Sequence, residues 1–116
     1  MKIELAKTEV IHFIGIGGIG MSGLSLIMKG NGFKVQGSDL SLNKNIERLK
    51  KEKIKVFVGQ KKQNLKNATI VVISSAIKNN NSEFIEARRK NLPIISRGKM
   101  LAHIVSFMKN IVVVGS

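Results

Sequence analysis

The sequence predicts an α/β fold, a Rossmann-like open parallel sheet of about five strands flanked by helices. Three observations carry that prediction. Strand and helix signals alternate along all 116 residues, the pattern of crossover connections rather than of an all-α or all-β chain. The apolar run from Val10 to Ile14 passes directly into Gly15-Ile16-Gly17-Gly18-Ile19-Gly20, a G-x-G-x-x-G turn that ends a strand and opens a helix. Thr69-Ile70-Val71-Val72-Ile73 is a continuous β-branched run, the composition of a strand buried on both faces of a parallel sheet.

Each element has its own signal. Strand one covers about Ile11 to Ile16, and the helix after the glycine turn carries Leu24, Ile27 and Met28 at helical spacing before Gly30-Asn31-Gly32 stops it. Phe33 to Gly37 forms strand two. Helix two starts near Asn43, with Ile46 and Leu49 inward and Glu47, Arg48, Lys50, Lys51 and Glu52 outward. Ile54 to Val58 is a short strand three ended by Gly59, and Lys61 to Asn67 is a polar connection into the central strand four. Asn79-Asn80-Asn81-Ser82 supplies caps for helix three, with Glu83 spaced to reach back toward Asn80 and Phe84, Ile85, Ala87 and the stem of Arg88 facing inward. Pro93 begins strand five at Ile94-Ile95, where its missing N–H is tolerated. Helix four presents Met100, Leu101, Ile104, Val105 and Met108 as a buried stripe, so these methionines read as core rather than as a cofactor box. Ile111 to Val114 reads as a further strand, stopping at Gly115-Ser116 as a turn begins; a natural domain seldom ends on an unpartnered strand, so a fragment of a longer protein is expected.

Composition narrows the function. A chain this long makes one small domain, and no apolar run approaches the ~20 residues of a membrane span. The first nine residues have no long apolar core, so no secretory signal is expected, and a soluble cytoplasmic protein is the default. There is no cysteine, which excludes disulfides and thiolate chemistry. The net charge of +13 invites a nucleic-acid reading, but the lysines are spread along the chain, with a concentration from Lys44 to Lys66 that suits a solvated face. Without Trp or Tyr for base stacking, nucleic acid is not an expected partner, and neither is a membrane.

The glycine turn is where chemistry is expected. Gly15 permits the tight turn, Gly17 admits a pyrophosphate close to backbone, and Gly20 lets the helix pack on the strand, so a diphosphate would meet the N–H groups of the helix start. Asp39, the only aspartate, falls about 20 residues beyond the last glycine, where a carboxylate accepts ribose hydroxyls; capping helix two or pairing with a lysine is the structural alternative. Ser74-Ser75 and Arg97 lie on the sheet edge where open α/β folds bind ligands, with helix capping and carbonyl neutralisation as their alternatives. His12 and His103 have no companions at metal spacing and read as structural, so no metal ligand is expected. No nucleophile triad, acid pair or G-K-[ST] loop occurs, and no catalytic residue is assigned. On residues alone this is a nucleoside-diphosphate module with NAD as its commonest occupant, and a NAD- or nucleotide-sensing regulatory domain is the alternative to an enzyme.

The segments His12 to Leu24, Gly37-Ser38-Asp39-Leu40, Ser74-Ser75-Ala76-Ile77-Lys78 and Pro93-Ile94-Ile95-Ser96-Arg97 closely resemble, in order and over nearly the whole chain, the N-terminal domain of the Mur ligases. The resemblance implies a three-domain cytoplasmic ligase of peptidoglycan synthesis that uses ATP and magnesium to join the muramate carboxylate of UDP-N-acetylmuramate to L-alanine, or, in a close paralogue, to a preformed peptide. It implies a UDP-binding domain over residues 1–109, inactive alone and with no cofactor of its own. Residues 110–116 would then be the first strand of an ATPase domain, with Gly115 and Ser116 opening its ATP loop. It also implies that Gly15, Gly17, Gly18, Ile19, Gly20, Met21 and Ser22 hold the diphosphate, Ser38 and Asp39 the ribose region, and Ser75, Ala76, Ile77 and Arg97 the neighbouring ligand or a domain interface. Two departures stand out: Gly59-Gln60 where the family has Gly-His, and Arg97-Gly98-Lys99-Met100-Leu101 where it has Arg-Ala-Glu-Met-Leu, a base in place of an acid.

Overall fold

The computed structural model describes residues 5–115. Five parallel strands, β1 (Val10–Ile14), β2 (Lys34–Asp39), β3 (Lys55–Val58), β4 (Ile70–Ile73) and β5 (Ile94–Ser96), form one sheet in the order β3-β2-β1-β4-β5. Helices α1 (Ile19–Gly30), α2 (Lys44–Lys51), α3 (Ser82–Arg89) and α4 (Arg97–Gly115) connect or follow them, which bears out the predicted Rossmann-like α/β class. The chain winds outward from β1 to β3, then returns to β4 on the other side of β1. The strand order therefore reverses between β1 and β4, the position where such sheets bind ligands.

The pleat sorts β1 between two layers. Ile11 and Phe13 face the larger core with Met21, Leu24 and Met28 of α1, Leu49 of α2, and Met100 and Ile104 of α4. His12 and Ile14 must point to the opposite face. There Ile14 packs with Val71, Leu65 and Ala87 of α3 in a smaller core. Leu65 belongs to a 3₁₀ turn (Lys62–Leu65) inside the stretch that the sequence reads as a plain polar connection; its fully buried side chain explains why that stretch is ordered as a turn.

Three helices end alike. Phe33 N–H donates to Met28 O, Ile54 N–H to Leu49 O and Leu92 N–H to Ala87 O, after a residue of positive φ: Gly32 (+90°), Lys53 (64°) and Asn91 (56°). Each closing residue is apolar, so the same bond that caps the helix feeds the chain inward toward the next strand.

Several expectations need correction. Asn81, not Asn80, caps α3, its Oδ1 accepting from Glu83 and Phe84 N–H; Glu83 does not reach back but turns into the protein and is fully buried. The buried stripe of α4 is Met100 and Ile104 with Leu101 and Phe107 partly covered, whereas Val105 and Met108 are exposed. Phe107 turns inward because Phe33 receives it edge-on, ring centroids 5.3 Å apart. Ile85 lies on the solvent side of α3, and Ile27 on that of α1. Helix α4 continues through Gly115, where the β-branched run Ile111 to Val114 predicts a strand. Strand preference is context-dependent, so β-branched composition alone does not impose a strand. Ser116 lies outside the described residues.

Candidate functional site

A cleft of about 610 Å³ opens at the C-terminal edge of the sheet, between the loops that leave β1 and β4. Gly15, Gly17 and Gly18 form its floor, Asp39, Leu40 and Asn43 one wall, and Gln60, Ser74, Ala76 to Lys78, Asn80 and Asn81 the other. The register explains the assembly: Ile14, Ser38 and Ile73 lie side by side, so the segments that follow them emerge together.

The glycine turn is held from below. Ser38 O accepts both Gly15 N–H and Ile16 N–H at 2.9 Å, and Gly15 adopts φ +81°, a left-handed conformation that suits glycine. Ile16 folds over the sheet at Gly37, where a Cβ would come within 2.6 Å of the Ile16 side chain and 2.8 Å of Phe13 O. Helix α1 then starts at Gly18 with no side-chain cap. Ser22 N–H is the first amide satisfied within the helix, by Gly18 O, so among the described residues those of Ile19, Gly20 and Met21 have no acceptor. Three unpartnered N–H groups at the positive end of a 12-residue helix are suited to an anion.

Asp39 neither caps α2 nor pairs with a lysine. Its Oδ2 accepts Gly17 N–H at 2.7 Å and its Oδ1 accepts Leu40 N–H at 2.8 Å, while Asn43 caps α2. A Cβ on Gly17 would come within 2.6 Å of Asp39 Oδ2, so glycine at this position admits the carboxylate itself. The acid therefore flanks the unpartnered amides on the side of β2.

The other predicted residues divide. Ala76 and Ile77 line the cleft, and Ile77 Cδ1 approaches Gly15; Ser75 is exposed and outside the lining, while Ser74 lines it and turns the loop by accepting Ala76 N–H and, through its carbonyl, Ile77 N–H. Ile19 is 89% exposed at the helix start, but the Met21 and Ser22 side chains are buried, the Ser22 hydroxyl donating to Ile19 O. Of these two residues only the Met21 backbone N–H is left for a ligand, since Ser22 N–H is held by Gly18 O. Ser38 is likewise fully buried, its hydroxyl donating to Glu83. Arg97 lies across the first turn of α1, close enough that a Cβ on Gly20 would meet its Cδ at 2.9 Å. Its guanidinium has no hydrogen-bond or ion-pair partner among the described residues, a free cation beside the free amides. Lys99 is exposed, and its backbone N–H is capped by Ser96 Oγ.

Glu83 is the residue that sequence reasoning missed. Its Oε1 accepts from His12 Nε2 at 2.7 Å and from the Ser38 hydroxyl at 2.6 Å; its Oε2 accepts from Asn64 Nδ2 at 2.7 Å and from Lys61 N–H at 3.1 Å. Gln36 Nε2 completes His12 by donating to its Nδ1 at 2.8 Å, which assigns the histidine proton to Nε2. Four donors from β1, β2, the loop after β3 and the 3₁₀ turn thus converge on one carboxylate of α3, the condition under which a buried charge is tolerated. The available signal was His12 itself: a histidine inside a strand covered on both faces requires a partner, and Glu83 stands at the start of the helix covering that face.

The family described as "Mur ligase family, catalytic domain" matches residues 10–109, which include the glycine turn, Asp39 and the whole cleft. The chain belongs to the Mur ligase family. As a Mur ligase it is 72% identical over 116 residues to UDP-N-acetylmuramate--L-alanine ligase of Pelagibacter ubique and 52% identical over 120 residues to that of Rickettsia prowazekii, in each case covering 100% of this chain. It spans about a quarter of the length of these curated relatives. Among solved structures it is similar to the UDP-N-acetylmuramate-alanine ligase of Thermotoga maritima, with TM-score 0.76 and 34% identity over 87% of this chain and 23% of that one. It is also similar to the UDP-N-acetylmuramate:L-alanyl-gamma-D-glutamyl-meso-diaminopimelate ligase of Neisseria meningitides, with TM-score 0.77 and 32% identity over 82% of this chain and 30% of that one.

Elsewhere on this Mur ligase chain, Lys62, Gln63, Lys66, Glu86, Arg89 and Lys90 surround a groove of about 420 Å³. Its charges are partly engaged: Arg89 donates to both Glu86 oxygens at 2.7 and 2.8 Å, which holds the Glu86 carboxyl below its ordinary range, and Lys90 Nζ donates to Leu65 O. No described helix is long and apolar enough to cross a membrane.

Proposed function

We propose that the cleft holds the UDP portion of UDP-N-acetylmuramate, on behalf of a longer cytoplasmic ligase of peptidoglycan synthesis that uses ATP to join the muramate carboxylate to L-alanine. The observation that carries this reading is the set of unpartnered amides at Ile19, Gly20 and Met21, flanked by Asp39 on one side and the free guanidinium of Arg97 on the other. Diphosphate oxygens would accept from those amides, Arg97 would neutralise the second phosphate, and the outward rim of Asp39 would accept from ribose. Ser38 would act through its carbonyl by holding the turn, and Gly15, Gly17 and Gly18 by keeping the floor free of side chains. Ala76 and Ile77 would bound the ligand opposite Asp39.

The choice of UDP-N-acetylmuramate over NAD is supported by the high-identity relatives, whose match runs through every residue of the cleft. Their names also favour alanine over a preformed peptide as the acceptor. Among the described residues there is no group of three or more His, Asp or Glu that could hold a metal ion, and the resemblance gives magnesium, with ATP, to the ATPase domain. The resemblance assigns Gly115 and Ser116 to the opening of an ATP loop, and this chain's own contribution is binding and orientation. Calorimetry with UDP-N-acetylmuramate, UDP and NAD tests the reading. The first should bind at least as tightly as UDP, and NAD more weakly than either; a preference for NAD refutes it.

A further inference from the structure

Gln60 lines the cleft opposite the glycine turn, and its orientation is dictated by a chain of hydrogen bonds that begins at a helix cap. Asn81 Oδ1 is committed as the cap of α3, accepting from Glu83 and Phe84 N–H at 2.9 and 3.1 Å. The other end of that amide must then be Nδ2, a donor, and it lies 2.6 Å from the Gln60 side chain. Only an oxygen can sit opposite it, so Gln60 presents Oε1 to Asn81 and is left with Nε2 turned away. Ser82 Oγ fixes the backbone of the same residue by donating to Gln60 O at 2.6 Å. Gln60 Nε2 has no acceptor among the described residues, and no described buried side-chain nitrogen lacks a partner, so Nε2 is not buried, on a residue that lines the cleft.

From this chain of constraints we infer that Gln60 is a ligand-binding residue that offers the cleft an amide donor and no acceptor, selecting for an acceptor oxygen on the nucleoside diphosphate. The inference deepens the proposed function and rests on it. The polarity is set remotely: reversing the Asn81 amide would cost α3 its cap, and reversing Gln60 alone would set two N–H groups against each other. The Glu83 cluster reinforces the register, since Glu83 accepts Lys61 N–H, one residue after Gln60, and Asn64 Nδ2 donates to Gly59 O, one residue before it. The wall that carries Gln60 is therefore tied to the strands beneath the glycine turn.

Three variants of this chain, titrated with UDP, test the inference. Gln60→Met removes the donor without charge and should weaken UDP binding about tenfold, the equivalent of one hydrogen bond. Gln60→Glu keeps an oxygen for Asn81 and should leave the melting temperature within a few degrees while weakening binding more than Gln60→Met. Asn81→Asp keeps the cap, because aspartate caps as well as asparagine, but turns the remaining oxygen toward Gln60 and forces its amide to reverse, so binding should fall although Gln60 is intact. Inorganic pyrophosphate and uridine as separate probes identify whether the acceptor is a phosphate oxygen or belongs to the nucleoside. Wild-type protein that binds UDP while all three variants bind it within twofold overturns the inference and leaves the proposed function standing. Wild-type protein that binds neither UDP nor UDP-N-acetylmuramate overturns the proposed function, and this inference with it.

Discussion

Glu83→Ala provides the sharpest test of how the two layers of this protein are joined. The substitution deletes the acceptor of four hydrogen bonds. Asn64 keeps its bond to Gly59 O, and Lys61, on an exposed residue, can turn to water. His12 Nε2–H and the Ser38 hydroxyl cannot, since both residues are 0% exposed and no other acceptor is described for either group. Two stranded buried donors at about 1–3 kcal/mol each, with the loss of packing, amount to roughly 3–5 kcal/mol. Against a typical domain stability of about 5–15 kcal/mol this is a large fraction, and it should lower the melting temperature by on the order of 15 °C. The chain has neither Trp nor Tyr, so urea and thermal unfolding are followed by far-ultraviolet circular dichroism rather than intrinsic fluorescence. Glu83→Gln should fall between wild type and Glu83→Ala, because its oxygen serves one pair of donors while its amide confronts the other. A loss below about 1 kcal/mol for Glu83→Ala would refute the assignment of the cluster as the tie between α3 and the sheet.

Other substitutions separate space from charge. Gly37→Ala places a Cβ 2.8 Å from Phe13 O, a backbone atom that cannot swing away, and should destabilise by about 1–3 kcal/mol in urea titrations. Gly20→Ala meets only the flexible Arg97 side chain and gains up to about 1 kcal/mol of helix propensity, so stability should hold or rise while UDP affinity falls through displacement of Arg97. Asp39→Ala should weaken UDP binding by about 1–3 kcal/mol but spare or improve inorganic pyrophosphate binding, because it removes both a ribose acceptor and a negative charge beside the start of α1; equal losses for the two ligands in calorimetry would count against the ribose assignment.

Much of this fold is local enough to be legible in the sequence. The glycine turn, the β-branched central strand and the Gly30-Asn31-Gly32 stop specify backbone conformation directly, and the structure has the strands and helices where those signals put them. Asp39 was legible as a neighbour of the glycine turn because its distance from the glycines is fixed by the βαβ geometry. What escaped depends on partners distant in sequence. Glu83 has the spacing of a capping residue, and only the arrival of His12, 71 residues away, makes it the centre of a buried cluster. The α4 stripe is ambiguous between Val105 with Met108 and Phe107 until Phe33 supplies a ring to pack against. Similarly, Ser38 looks available at the end of β2, but the residue facing its hydroxyl comes from α3. Ile111 to Val114 has strand composition in a stretch that is helical, because β-branched preference depends on context rather than on composition alone.

The central claim is that a diphosphate sits on the first turn of α1. Backbone amide shifts of nitrogen-15-labelled protein titrated with UDP-N-acetylmuramate test it most directly. The largest changes should fall on Ile19, Gly20 and Met21, with smaller ones at Gly17, whose N–H is held by Asp39, and at the Gln60 side-chain amide. Saturable changes confined to the groove between the 3₁₀ turn and α3, at Lys62, Lys66 and Lys90, with the glycine turn unmoved, would contradict it.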